Sequence, residues 1–219
     1  MKFFGGALLL AIVAAPPTLA AQQDVSTRLG GRVPPAIAAL VQQLANSAAA
    51  HGLPVDPLIQ KAIEGSAKGV PADRVAIALR ALAGQLDAAA TDLREAGPGQ
   101  PDTDAIAAGA FALNAGLSNR QVTTLATASR PPYSVAATLR VTSTLAAMGV
   151  PAANAVDLVT QVIASGGATT EVLGLPAQVM AGVSQGHGVT PAQAAAGLAR
   201  AAAARAAAPG QSRPHPGKP

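Results

Sequence analysis

The chain has 219 residues, of which 50% are hydrophobic, 12% charged and only 2% aromatic. Cys and Trp are absent, which excludes a disulfide scaffold and a cysteine-ligated metal site, and the low charge excludes a highly charged disordered polymer. Alanine contributes 55 residues, about half of the hydrophobic class. Because each methyl group buries little area, we expect closely packed helices around a thin core that self-association or a partner could complete.

The net charge of +4 and the pI of about 10.1 do not indicate a nucleic-acid-binding protein. Basic residues are concentrated near the carboxyl terminus, so the body of the chain is close to electrical balance. Aromatic stacking residues and recognised nucleic-acid modules are also missing. The terminal basic residues are Arg200, Arg205, Arg213 and Lys218.

The first twenty residues are typical of a secretory signal peptide. Lys2 precedes an uncharged run from Phe3 to Ala15, and Pro16-Pro17 ends any helix there. Thr18-Leu19-Ala20 places small residues at the −3 and −1 positions of a cleavage site. As a helix the uncharged run would cover roughly 20 Å, less than the ~30 Å of a bilayer core, so a retained membrane anchor is the weaker interpretation. We therefore expect cleavage near Ala20 and a periplasmic or secreted bacterial protein.

A short corner signature recurs five times along the rest of the chain. It consists of Gly, then Leu or Val, then Pro, Ser or Thr. Glycine can adopt the left-handed conformation that ends a helix, and the aliphatic residue can pack back on the last turn. Pro or a hydroxyl residue then begins the next helix. The five corner glycines are Gly52, Gly69, Gly116, Gly149 and Gly188.

Several helix starts carry additional capping signals. Ser118 and Gln121 have the spacing of a capping box. Thr190 and Gln193 repeat that spacing, and Asp56-Pro57 makes a similar cap and start. These signals predict where the helices begin as well as where they end.

The apolar spacing between the corners is helical, and no segment shows sustained alternation with period two. Ile37, Val41 and Leu44, for example, share one helical face. We expect Pro176 to kink or split the eighth helix. The predicted helices are 34–50, 57–67, 71–96, 103–115, 118–130, 134–148, 151–164, 170–185 and 190–207.

The predicted organisation is a linker over 21–33, one all-α domain over 34–208 and a disordered basic tail over 209–219. Gly97-Pro98-Gly99 marks a sub-boundary within 96–101. Helix starts near 118, 134, 151 and 169 lie 16 to 18 residues apart, and two such helices make a unit in the range of helical-hairpin repeats. We therefore expect an array of about nine short helices, either α-solenoid-like or an irregular bundle.

Lys61, Glu64 and Lys68 form a strip on the second predicted helix. Glu64 and Lys68 have the favourable i, i+4 order of a surface ion pair. The strip is either a solvated helix face or the polar rim of a groove that recognises an anionic or peptidic ligand. These three residues and His51 are the candidate ligand-binding residues.

His51 lies at the end of the first predicted helix, where an imidazole favours the carbonyl-rich end of the helix dipole. A sharper hypothesis joins Ser47, His51 and Asp56 in a catalytic triad, although Ser47 has no nucleophile elbow around it. No pair of His residues has metal-ligand spacing, so we predict neither a metal nor a cofactor.

Three other polar groups need an interpretation. The acidic stretch from Asp87 to Asp104 is expected to be a solvated helix end and loop, because its spacing does not suit a cation-binding loop. Arg120, Arg130 and Arg140 have no nearby acid in the sequence and indicate a weak basic patch. A dense group of hydroxyls is expected to bond the preceding helical turn, with a ligand groove as the alternative. Its members are Thr123, Thr124, Thr127, Thr138, Thr142, Ser143 and Thr144.

The leading functional hypothesis is an exported, non-enzymatic helical protein that binds or scaffolds a protein or polymer in the cell envelope. The signal, the repeated corners and the scarcity of convergent catalytic groups motivate it. One alternative is a small periplasmic hydrolase with a site around His51, Asp56, Glu64 and Asp73. Another is a structural envelope component whose carboxyl-terminal tail contacts anionic polymer or membrane.

Overall fold

The computed structural model describes residues 25–97, 99–186 and 188–207; the predicted signal peptide, 1–20, and the predicted tail, 209–219, lie outside these ranges. Within the described residues the structure is all-helical and has no strand, which confirms the predicted fold class. All nine predicted helices are present, with bounds within two residues of those expected. They are α1 (Pro35–Ala50), α2 (Asp56–Ala67), α3 (Ala72–Ala96), α4 (Thr103–Asn114), α5 (Asn119–Ala128), α6 (Val135–Ala147), α7 (Ala152–Ala164), α8 (Thr169–Gln185) and α9 (Pro191–Ala207).

The glycine corners end the helices with a specific pair of backbone hydrogen bonds. At the end of α6, Gly149 has a φ of 93°. The N–H of Val150 donates to the carbonyl of Leu145 at 3.1 Å, and the N–H of Gly149 donates to that of Ala146 at 3.0 Å. This is a Schellman motif, which satisfies two carbonyls that a helix end would otherwise leave free. The same pair of bonds closes the corners at Gly52, Gly69, Gly116 and Gly166.

Two corners differ from the predicted set. Gly188 has a positive φ of 79°, but Val189 donates to the carbonyl of Gly186, one residue beyond the end of α8, so this corner is not closed on the last helical turn. Gly166 makes the fifth Schellman corner instead. Gly166 does not match the signature, because Gly167 and Ala168 follow it in place of the aliphatic residue and the Pro, Ser or Thr. The corner forms nevertheless, because its backbone conformation requires a glycine only at position 166.

Both predicted capping boxes are present. The N–H of Thr190 donates to Gln193 Oε1 at 2.9 Å and the N–H of Gln193 donates to Thr190 Oγ1 at 3.3 Å, and Ser118 repeats the arrangement at α5. The predicted cap at Asp56 is wrong. Val55 is the capping residue of α2, and the carboxylate of Asp56 accepts a hydrogen bond from the guanidinium of Arg28 at 2.7 Å.

The folded core begins earlier than residue 34. Residues 25–29 are helical, and Val25 and Leu29 are 4% and 2% exposed. Their i, i+4 spacing places both on one face, which packs into the same hydrophobic cluster as α1. Part of the segment expected to be a linker is therefore part of the domain.

The helices form a stacked array in which every substantial contact joins neighbours or next-but-one neighbours along the chain. The odd-numbered helices pack in one series from α1 to α9, and α4, α6 and α8 pack in a second series. This quasi-linear pattern is that of an α-solenoid. One hydrophobic cluster continues through the array on both sides of 96–101, so the break there is a loop within a single core.

The helix α2 is the exception in the second series, because it packs on α1 and α3 and makes at most marginal contact with α4. The 25 residues of α3 are long enough to receive the two helices at different heights. Gly65 of α2 faces Val75, whereas Gly109 of α4 faces Ala89. Fourteen residues separate Val75 from Ala89, which corresponds to about 21 Å along the helix.

Of the two outcomes predicted for Pro176, the split of α8 is wrong, because Thr169–Gln185 is one helix, and the kink stays a prediction. Proline removes one backbone donor, which leaves the carbonyl of Val172 without its usual partner. Val172 and Leu175 on one side and Val179 on the other are buried, so packing holds both halves against the array. No helix in the described ranges has the length and apolar character needed to cross a membrane.

Candidate functional site

The gap between α2 and α4 leaves the middle of α3 uncovered and forms a groove, here called the α3 groove. Its volume is about 640 Å³. Positions 78, 81, 82 and 85 of α3 form the floor, because they repeat at i, i+3, i+4 and i+7 on one helical face. The lining residues are Ala78, Ala81, Leu82 and Gln85 from α3, Pro57, Gln60, Lys61 and Glu64 from α2, Ala107, Ala108, Phe111 and Asn114 from α4, and Arg140 and Thr144 from α6.

The surface of the α3 groove is mainly apolar and made of small side chains. Phe111 projects from α4 with 52% of its surface exposed, which is high for an aromatic residue in a chain with so few of them. Leu82 is half-buried beside the alanines of the floor. A floor of methyl groups lets another backbone approach closely, and Phe111 offers a large apolar side chain to it.

The candidate strip on α2 lies at the wall of this groove. Lys61 and Glu64 line it, and Lys68 lies beyond the lining and forms an ion pair with Glu64. The hydrogen bond and the charge of Lys68, with the charge of Lys61, lower the pKa of the Glu64 carboxyl. The carboxylate of Glu64 is thus already in an ion pair with Lys68. Lys61 forms no ion pair with a carboxylate in the part of the chain that the structure describes.

His51 is not part of the α3 groove lining. It follows the last residue of α1, and its Nδ1 bonds to the backbone carbonyl of Ser47 at 2.9 Å. This is the helix-terminal role that the sequence indicates, with the imidazole donating to a carbonyl in the last turn.

The bonds of the described residues do not join the hydrolase candidates to one another. His51 bonds to its own helix, Asp56 to Arg28 and Glu64 to Lys68. Asp73 lies in the first turn of α3. Asp56 and Glu64 therefore face basic side chains and not the imidazole that a triad requires.

The expectation that Arg140 has no nearby acid is wrong. Its guanidinium makes a two-pronged ion pair with Asp104, 36 residues away in sequence. The pair lowers the pKa of Asp104 and raises that of Arg140. The contact joins the start of α4 to α6, and because the guanidinium of Arg140 is paired it adds little free positive charge to the groove lining.

A second depression, here called the α3–α5 pocket, lies between the end of α3 and the helix α5. Its volume is about 670 Å³. Asp92 at its base is only 5% exposed, although the acidic stretch was expected to be solvated. Residue 92 lies beside Leu93 and three positions after Ala89, so the buried stripe of α3 carries it inward. The lining residues are Asp92, Glu95, Asn119, Arg120, Thr123, Thr124, Thr127 and Ala128.

The carboxylate of Asp92 is only half satisfied. Its Oδ1 accepts a hydrogen bond from Asn119 Nδ2 at 3.1 Å, and its Oδ2 is buried with no hydrogen-bond partner among the described residues. Burial raises the pKa of Asp92, against the lowering effect of the Asn119 bond, and the charge of Glu95 raises it further. A buried acceptor without a donor costs about 1–3 kcal/mol. The periodicity of the buried positions in α3 indicates that residue 92 faces inward, whereas only the fold shows that Asn119 is its partner.

The dense cluster of hydroxyl side chains on α5 and α6 bonds to the preceding helical turn, as predicted. All seven side chains donate to the carbonyl four residues earlier, as in the bonds of Thr124 to Arg120 at 2.8 Å and Thr142 to Thr138 at 2.9 Å. The local bond satisfies the buried Thr142 and Ser143. The threonines of α5 also line the α3–α5 pocket, and the alternative of a ligand groove stays a prediction.

No group of three or more His, Cys, Asp or Glu side chains in the described ranges is arranged to hold a metal ion. The features that stand out are therefore an apolar groove with one unpaired ammonium group and a polar pocket with one half-satisfied carboxylate.

The chain has no significant match among protein-family models, curated proteins or solved structures.

Proposed function

We propose that this protein is exported to the bacterial cell envelope and acts there without catalysis, by binding an apolar helical segment of another protein in the α3 groove. The amino-terminal sequence supports export, because its charge, length and small-residue triplet suit a secretory signal. The single observation that carries the binding proposal is the uncovered face of α3 between α2 and α4.

The dimensions of the groove suit a helix better than a small molecule. The floor extends over seven residue steps of α3, or about 11 Å, which equals two helical turns. A helix docking there would present three or four apolar anchors at i, i+3, i+4 and i+7. Packing against Ala78 and Ala81 brings the two backbones close together, as in the existing helix pairs of this alanine-rich fold.

The charges around the groove indicate the chemistry of the bound segment. Glu64 and Arg140 are already paired with Lys68 and Asp104. Lys61 is the remaining cation on the lining. The partner segment should therefore be apolar on one face, with an acidic residue beside its anchors.

Capture from an envelope extract tests this proposal. The full chain with Phe111→Ala should lose at least tenfold in captured partner, because aromatic anchors in a groove dominate binding energy. Ala81→Leu should give a similar loss by filling the floor. Ile77→Ala is the matched control, because Ile77 is 64% exposed on the same α3 helix and does not line the groove.

Equal capture by the Phe111→Ala and Ile77→Ala variants would overturn the groove proposal. A truncation after Ala207 distinguishes binding in the groove from binding through the carboxyl-terminal tail. The truncation begins there because a deletion from residue 201 would also remove Ala202, which is fully buried, and the Arg205–Glu171 ion pair. Loss of capture on that truncation, with no effect of Phe111→Ala, would favour binding through the tail.

A further inference from the structure

The α3–α5 pocket has an acceptor that nothing in the described structure satisfies. Asp92 Oδ2 has no hydrogen-bond partner, and the Asp92 side chain lies at the base of the pocket with 5% exposure. Its other oxygen is held by Asn119, which fixes the carboxylate against the start of α5. The arrangement is a positioned acceptor whose donor must come from elsewhere.

The rest of the lining adds further acceptors. The hydroxyl protons of Thr123, Thr124 and Thr127 are all donated to backbone carbonyls within α5. Each oxygen therefore has only lone pairs left for the pocket. Glu95 contributes a second carboxylate, exposed at the rim and without an ion pair among the described residues.

A ligand that complements this lining must bring N–H donors and positive charge. A hard metal ion does not fit, because such ions need a larger set of oxygen ligands arranged around one point, and the pocket offers two carboxylates. A primary ammonium group fits, because its three donors can be shared between a carboxylate and neighbouring hydroxyl oxygens.

We infer that the α3–α5 pocket binds a small primary ammonium compound, whose N–H groups donate to Asp92 and to the threonine oxygens of α5. The site is separate from the α3 groove and does not depend on it, because the two share no lining residue.

Arg120 distinguishes two sources of the ammonium group. It lines the same pocket and has no ion-pair partner in the described ranges. A ligand with a carboxylate, such as an amino acid, would place that group on the guanidinium. A simple amine would instead be repelled by it.

Titration of the full chain with butylamine and with 4-aminobutyrate tests the site, since the two probes differ by one carboxylate. Binding is followed by calorimetry and by the NMR signals of the Asn119 side-chain amide, which touches Asp92. We expect saturable binding of at least one probe, with at least tenfold loss in Asp92→Asn. Asp87→Asn is the matched control, because Asp87 is exposed on the same helix outside the pocket and should leave affinity unchanged.

Tighter binding of 4-aminobutyrate than of butylamine would indicate an amino acid as the ligand, and the reverse order a simple amine. Arg120→Gln should weaken 4-aminobutyrate, which loses the partner of its carboxylate, and strengthen butylamine, which is no longer repelled. Thr127→Val removes one acceptor while it keeps the side-chain shape, and it should weaken either probe severalfold. This variant also tests the site if Asp92→Asn fails to fold. Absence of saturable binding by both probes, or equal binding by the wild type and a folded Asp92→Asn, would overturn the inference.

Discussion

The close approach of α3 and α4 depends on a glycine, and substituting it tests how the alanine-rich core is built. Gly109 of α4 lies against Ala89 of α3, in the most extensive helix pair of the structure. A Cβ atom added at residue 109 would lie 2.9 Å from the Cβ of Ala89. Carbon atoms at optimal separation are roughly 3.5–4.0 Å apart, so Gly109→Ala must push the two helices apart.

Two opposing effects set the magnitude for Gly109→Ala. Alanine gains about 1 kcal/mol over glycine in a helix interior. Overpacking a well-filled core costs typically about 1–3 kcal/mol, and Ala89 cannot move away because it belongs to a helix backbone that is itself buried. The net expectation is a loss of up to about 2 kcal/mol in the free energy of unfolding.

Gly84 provides the matched control. It also lies inside a helix, α3, but a Cβ there would meet no atom within 4 Å. Gly84→Ala should therefore gain about 0.5–1 kcal/mol, which corresponds to a rise of roughly 1–4 °C in the melting temperature of a chain of this size. Thermal and urea unfolding, followed by circular dichroism, measure both variants under identical conditions.

A double-mutant cycle completes the test of the contact. Ala89→Gly restores the space in a Gly109→Ala background, so the combined variant should be more stable than the sum of the two single changes predicts. Stabilisation by Gly109→Ala equal to that of Gly84→Ala would refute the argument, because it would mean that α3 and α4 are not held at this distance.

Three other substitutions give measurable expectations. Gly149→Ala should cost about 1–2 kcal/mol in unfolding experiments, because its φ of 93° disfavours a side chain even though the space around it is open. Tyr133→Phe should cost about 1 kcal/mol and speed amide exchange near Gly167, whose carbonyl accepts the Tyr133 hydroxyl bond, and unchanged exchange would contradict this role. Burial raises the folded-state pKa of Asp92, so the folded protein binds a proton more readily than the unfolded chain and loses stability as pH rises above about 3.9. Asp92→Asn has no carboxyl to ionise and does not lose stability in this way. The melting temperature of the variant minus that of the wild type should therefore increase from pH 3 to pH 7, and a difference independent of pH would refute the raised pKa of Asp92.

Local features of this protein could be predicted because they depend on residues a few positions apart. The capping box of Ser118 and Gln121, the Schellman corner at Gly149 and the Thr124 bond to its own helix all lie within one or two turns. Alanine-rich segments between such corners favour the helix, because alanine has the highest helix propensity. The cap assigned to Asp56 is wrong by one position, because α2 begins at Asp56 with Val55 as its capping residue, and the partner of the Asp56 carboxylate is the distant Arg28.

The two candidate sites depend on contacts that the sequence does not display. Asp92 meets Asn119 across 27 positions, and Asp104 meets Arg140 across 36. Nothing in the local pattern specifies these pairs, because they follow from which helix faces stack.

The order and lengths of α1 to α9 and the corners at Gly52, Gly69, Gly116 and Gly149 were decided by the sequence alone, through periodicity, capping and the conformational freedom of glycine. The heights at which α2 and α4 meet α3 were decided only in three dimensions, where Val75 receives one helix and Ala89 the other. That offset opens the α3 groove, because it leaves the face of α3 between the two contacts uncovered.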